Sequence, residues 1–180
     1  VHDIDIIPST LELAVTASMM VAKYAREKAI TRILMGIKQN YDYIIIDTKP
    51  DVDILTMNAL TASDSIIIPI KADDIFSLQG IMGIMSCVNN INQERSIYSQ
   101  PMLNIMGGVI TMLDNRTSLG KEISKMLADG GFEIKLFNTK IPTSTKITQA
   151  SASQMSLLEF DRTGKACQAY YELAKEIIAD

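Results

Sequence analysis

The stretch YDYIIIDTKPDVDILTMNALTASDSIIIPI, residues 41–70, constrains the fold of this chain more than any other part of it. Two β-branched runs, Ile44–Ile46 and Ile66–Ile68, read as buried parallel strands separated by a helical stretch. The first run stops at an acid, Asp47, and a proline-containing turn follows. An acid at the carboxyl end of a central strand sits where open α/β sheets bind ligands. It is the placement needed to hold the water shell of a nucleotide-bound Mg²⁺.

The rest of the chain repeats this alternation. Asp5–Ile7 predicts a strand stopped by Pro8, and Ser9 with Glu12 forms a capping-box pattern opening a helix to about Met20. A second helix is expected from about Ala25 to Lys38, with Ile30, Ile33, Leu34 and Ile37 as its apolar stripe. Asp53 opens a helix through Ala62, and Ile66–Ile70 is the next strand. Ser77 caps a helix to about Ile91, and Leu103–Ile110 is a strand in which Gly107-Gly108 predicts a bulge or a close backbone approach. A helix from Ser118 to Asp129, a strand at Lys135–Ile141, a short helix after Pro142 and a final helix from Thr163 to about Ile178 complete the pattern. The expected class is α/β, a mainly parallel sheet flanked by helices, in a single domain over residues 1–180.

Bulk composition narrows the function classes. The 180 residues are 47% apolar and 21% charged, enough for one sizeable core, and the net charge of −4 does not announce a nucleic-acid binder. One histidine, His2, argues against a histidine metal site or a Ser-His-Asp triad. Cys87 and Cys167 share no metal-type spacing and suit a reducing cytoplasm. No apolar run approaches a membrane span, and VHDIDIIPS lacks the layout of a signal peptide.

Five blocks in order resemble the ParA/Soj-type partition ATPases, a deviant Walker A class of P-loop ATPases: YDYIIIDTKP, NALTASDSIIIPI, TMLDNRTSLG, KIPTSTKITQAS and LLEFDRTGKACQAYYELAKEI. The resemblance runs from DIIPSTLELA to the last helix. It implies a P-loop NTPase-like fold, and a cytoplasmic, nucleoid-associated protein without a membrane anchor. It also implies ATP and Mg²⁺ as cofactors, dimerisation on ATP, nonspecific DNA binding and a ParB-like partner that stimulates hydrolysis. Asp47 matches the Walker B acid, which holds Mg²⁺ through water. An acid capping the following turn is the alternative. Met112 and Pro142 match positions that pack around the adenine base, and Thr143 is grouped with them as nucleotide-contacting. Arg116 and Lys146 match DNA-phosphate contacts, with Lys121, Lys125, Lys135 and Lys140 between them; a solvated helix face is the alternative reading of that basic cluster. Asn58 matches a residue near the family's dimer interface.

Departures from the family pattern are equally specific. Lys49 stands where the family usually has proline, and Thr143 and Lys146 stand where it often has arginine, which weakens bidentate phosphate contacts. Nowhere do the 180 residues contain G-x-x-x-x-G-K-[ST] or KGGxGKT, so the glycine cradle and lysine that grip phosphates are absent from the sequence. Gly120-Lys121 and Gly164-Lys165 read as helix starts instead. The expectation is a C-terminal fragment, a truncated gene or a domain missing its first βαβ unit, unable to hydrolyse ATP alone. In the family the P-loop strand lies beside the Walker B strand. Its loss predicts strand re-pairing or oligomerisation, since unpaired buried backbone is costly. Two other readings are a non-catalytic interaction protein of the same descent and a MinD-type membrane-cycling ATPase. The acidic ending ELAKEIIAD gives the MinD type little support.

Overall fold

In a computed structural model of the protein, the described residues are 4–49, 51–72, 77–114, 125 and 134–179. The first helix, α1, spans Glu12–Met20 and α2 spans Ala29–Leu34. Then come α3 (Ile54–Ala62), β1 (Ser65–Lys71), α4 (Ser77–Ile97) and β2 (Asn104–Thr111). Three further helices close the chain: α5 (Thr145–Ala152), α6 (Leu157–Phe160) and α7 (Lys165–Ala179).

The centre is a β-α-β unit. Strands β1 and β2 pair in parallel, from Ser65 opposite Asn104 to Lys71 opposite Thr111. The register shifts between Ile66 and Ile67, where the partner jumps from Ile105 to Gly107, so a bulge falls at the expected glycine pair. Residues 134–142 lie along the other side of β2 through bridges at Leu136 and Pro142. There the expected strand is irregular: Gly108 N donates to Lys135 O, Phe137 N to Gly108 O, and Ile141 N to Ile110 O.

Two strands alone are marginal in water, so burial on both faces holds this sheet. On one face Ile68, Ile70 and Ile110 pack with Ile81 of α4 and Ile134. Beside them Leu60 of α3 meets Cys87, Val88 and Ile91 of α4 and Leu103. On the other face Val109, Phe137 and Ile141 pack against Leu173 of α7. Ile70, Ile110 and Ile141 are at most 2% exposed, each contributing about 1.5–3 kcal/mol. All the buried residues among those described lie between Thr56 and Leu173.

Polar contacts fix the connections. Asp53 caps α3 by accepting from Leu55 N and Thr56 N, both at 2.9 Å, which is the helix start expected there. These bonds, that from Thr56 N foremost, hold its carboxyl below the usual range. Arg95 of α4 donates to Thr61 O and Ser63 O at the end of α3, placing a cation on its orphan carbonyls. Asn92 pairs with both backbone groups of Leu103 and so ties α4 to the start of β2.

The first third of the chain departs from expectation. Residues 4–10 and 42–49 carry no strand, and neither Asp5–Ile7 nor Ile44–Ile46 joins a ladder among the described residues. Ile6 is 78% exposed and Ile45 92%. A strand gains its hydrogen bonds only from a neighbour, so a β-branched run without one stays extended and solvated. The expected re-pairing of strands is therefore not seen. The Ser9–Glu12 capping box is not formed either: Leu11 occupies the N-cap of α1 with no side-chain bond. The single helix expected over 25–38 is broken into a 3₁₀ turn at Arg26–Lys28, the short α2 and a second turn at Lys38–Asn40. Ala25 enters that region with φ of 49°, in the left-handed region that a continuous helix cannot include.

Candidate nucleotide site

Three elements converge at the carboxyl ends of β2 and of residues 134–142. Past β2 the chain turns through Met112, whose φ of 53° lies in the left-handed region, and Leu113 then bridges Pro142. Leu113 N donates to Ile141 O, and Thr143 N donates to Leu113 O. The start of α7 closes the third side. Gly164 immediately precedes that helix, and a Cβ there would run into the Asp161 carboxylate, which would have to turn away. The result is a hollow of about 400 Å³ lined by Leu113, Asp114, Pro142, Thr143, Ser144, Lys165 and Ala166. A carboxylate, an ammonium and two hydroxyls around a proline ring suit a flat, polar-edged molecule at a sheet's carboxyl edge.

The lip of this hollow is fastened from behind. Glu176 of α7 accepts from Asn138 N at 2.9 Å, Thr139 N at 2.8 Å and Thr139 Oγ1 at 2.5 Å. The Thr139 hydroxyl leads, with the two backbone N–H groups and the Lys135 charge, in holding this carboxyl below its ordinary value. A depressed folded value means that the stabilisation is present above the unfolded value near ~4.3 and is lost as pH falls through the folded one. Glu176→Gln is therefore expected to lower stability at neutral pH by about 1 kcal/mol, solvent screening included. The difference from the parent should shrink to nothing in acid. Urea unfolding at neutral and acidic pH measures it, and an equal deficit at both would exclude the ionised carboxylate as the cause.

Of the site residues expected from sequence, Pro142 and Thr143 line the hollow, while Met112 stands beside it, 54% exposed. Asp47 is exposed in the 42–49 segment and lines neither this hollow nor a second one. That second concavity, about 300 Å³, lies between Ala14, Ala17, Ser18 and Val21 of the α1 region and Lys49, Asp53, Ile54 and Leu55. Lys146, in the first turn of α5, places its ammonium 5.8 Å from the centre of the Phe160 ring. Arg116 and Lys121 lie outside the described residues. Asn58 has a structural role here. It is 0% exposed, accepts from Ala29 N and Ile30 N, and donates to Arg26 O and Ile54 O, so its hydrogen-bonding groups are satisfied within the chain. Sequence reasoning missed Asp114 and Lys165 as lining residues. Their signals were Asp114 inside TMLDNR and the Gly-Lys pair at the start of α7.

The AAA domain family matches residues 1–105, more than half of the chain. Sporulation initiation inhibitor protein Soj of Bacillus subtilis is 35% identical over 184 residues, covering 100% of this chain and 69% of that protein. Chromosome-partitioning ATPase Soj of Treponema pallidum is 31% identical over 179 residues, covering 99% and 68%. This chain belongs to the ParA/Soj-type ATPase family. Among solved structures, cobyrinic acid a,c-diamide synthase from Mycobacterium smegmatis with bound ADP and magnesium gives a TM-score of 0.74 at 24% identity. The match covers 95% of this chain and 60% of the synthase chain and shows that the two share a fold. No helix among the described residues is long and apolar enough to cross a membrane.

The donors present fit one part of a Mg²⁺-nucleotide and not the rest. Pro142, Leu113 and the polar rim suit a purine base. Among the described residues no group of three or more His, Cys, Asp or Glu is placed to hold a metal, and the sequence offers no glycine-rich phosphate loop. No hydrolytic step is derived from these residues.

Proposed function

We propose that this chain serves a ParA-like partition role as the base-binding part of an ATP-dependent module, its hollow receiving adenine. The hollow at the carboxyl ends of β2 and residues 134–142 carries this reading. Pro142 and Leu113 offer apolar surface to the ring, while Thr143, Ser144, Asp114 and Lys165 offer donors and acceptors to its edge. Met112 adds a soft thioether at the rim, and Asp47 supplies a hard oxygen ligand for Mg²⁺ through water once the phosphates are held.

In the assembled protein the same reading includes ATP-dependent dimerisation and nonspecific, salt-sensitive DNA binding through Arg116, Lys121 and Lys146. It also includes a ParB-like partner protein and nucleoid association. Relatives named as chromosome-partitioning proteins support that context. The alternative, a non-catalytic interaction chain, is favoured by the departures at Lys49 and Thr143 and by the exposed Ile44–Ile45 run.

Calorimetric titration separates the two. The expected result is weak binding of adenosine and ADP with similar affinity, independent of Mg²⁺, because base contacts alone contribute. Failure of adenosine to bind at millimolar concentration would exclude the base site. Submicromolar, Mg²⁺-dependent ATP binding would instead show that this chain grips phosphates by itself.

A further inference from the structure

The hollow owes its lining to an irregularity in the segment beside β2. Phe137 N donates to Gly108 O at 2.9 Å and Ile141 N to Ile110 O at 2.8 Å. Between these two bonds β2 advances two residues while its neighbour advances four. Straight parallel pairing onward from Phe137 would bring Thr139 N to Ile110 O and set Lys140 opposite Leu113. The observed bridge instead sets Pro142 opposite Leu113, so residues 138–140 stand out of line as a bulge. Ile141 thereby fills the buried place among Val109, Phe137 and Leu173.

A bulge takes amides off the ladder, and here one side chain collects them. Asn138 N and Thr139 N turn to the Glu176 carboxylate at 2.9 and 2.8 Å, and the Thr139 hydroxyl joins them at 2.5 Å. Glu176 lies in the last turn of α7, by the negative end of the helix dipole, where an acid is disfavoured. A local rule broken in this way is compensated elsewhere in the fold, and the three donors are the compensation. Lys165, which lines the hollow, stands about three turns and roughly 16 Å earlier on the same face of α7. Between them Ala169 and Leu173 pack on the cluster of Val109, Phe137 and Ile141. One helix face thus meets the hollow at its start and the bulge near its end.

We infer that Glu176 is a positioning residue for the hollow: by holding the bulge at residues 138–140 it sets Pro142 and Thr143, rather than Lys140 and Ile141, at the ligand's edge. Glu176 does not itself line the hollow. Its effect on affinity rests on the reading of the hollow as a base site, whereas its effect on the bulge does not.

The test compares the parent with Glu176→Ala, Glu176→Gln and Asp53→Ala, the last removing a helix cap that does not line the hollow. Circular dichroism confirms that each variant is folded. The amides of Leu113 and Thr143 bond Ile141 O and Leu113 O, so they report on the lip. In Glu176→Ala without ligand they are expected to exchange about tenfold faster, beyond any change in the β1–β2 ladder. Calorimetric titration is expected to show adenosine binding about five- to tenfold weaker in Glu176→Ala. Glu176→Gln, which keeps one acceptor oxygen, should restore part of that loss, and Asp53→Ala should bind as the parent does. Saturating adenosine should in turn slow exchange at Asn138 and Thr139 of the parent, since coupling is reciprocal. The inference is overturned if Leu113 and Thr143 speed up no more than the ladder does. Parent-like adenosine affinity in Glu176→Ala overturns it as well. A parent that binds no adenosine counts against the base reading alone, and the exchange result then decides this inference.

Discussion

Asn58→Ala is expected to cost about 2–4 kcal/mol and to release the segment around α2 from α3. One side chain there serves four backbone groups: Ala29 N at 2.8 Å, Ile30 N at 3.3 Å, and Arg26 O and Ile54 O at 2.8 Å each. Truncation leaves the two amides and the Arg26 carbonyl without their partner, and each buried unpaired group costs about 1–3 kcal/mol. The sum has a ceiling. Residues 26–34 are largely half-exposed, so they can lift away and regain water once the penalty exceeds the cost of undocking. Asn58→Leu, similar in volume but without polarity, should be no better than alanine. Urea unfolding gives the loss, and hydrogen exchange at Ala29 and Ile30 shows where it falls. If leucine restored stability, packing rather than hydrogen bonding would be the function of this residue.

The second large effect is expected at the glycine pair of β2. A Cβ at Gly107 would lie 2.7 Å from Lys135 O and 3.1 Å from Phe137 Cε2. A Cβ at Gly108 would lie 2.9 Å from Ile70 Cδ1 and Leu136 Cδ2. The distances are alike, but the obstacles differ. Backbone cannot move at position 107 without pushing residues 134–137 off the strand, whereas the ends of Ile70 and Leu136 can rotate. Gly107→Ala should therefore cost about 2–3 kcal/mol, in the upper range of overpacking, and Gly108→Ala about 1 kcal/mol. Midpoints of urea unfolding compare the two, and the reverse order would refute this account of the bulge.

These residues also show which features were legible in the sequence. Gly107-Gly108 inside a strand pattern announced a close approach, and both the bulge and the tight contact with residues 135–137 are present. Strands β1 and β2 and helix α3 fell within one or two residues of their expected bounds, because apolar period and an Asp cap are local signals. Helix α4 runs six residues past the expected Ile91, to Ile97. Ile44–Ile46 carried an equally strong strand signal and formed none, because a strand's hydrogen bonds belong to its neighbour and are not written in its own residues. The lone Asn58 gave no local sign of the three contacts it makes with residues 26–30, far off along the chain. Asp114 and Lys165 line one hollow only because the fold brings the end of β2 and the start of α7 to the same place, a relation that no spacing in the sequence encodes.

Because every described residue that is shut away from water lies between Thr56 and Leu173, this polypeptide has two regimes of cohesion. Heat or denaturant that dissolves the sheet and its covering helices meets little resistance in residues 4–24 and 42–49, which can open at a small fraction of the global cost. A melting curve consequently reports on the rest of the described chain and is nearly blind to those two segments. A protease would see the reverse, cutting first where calorimetry detects nothing.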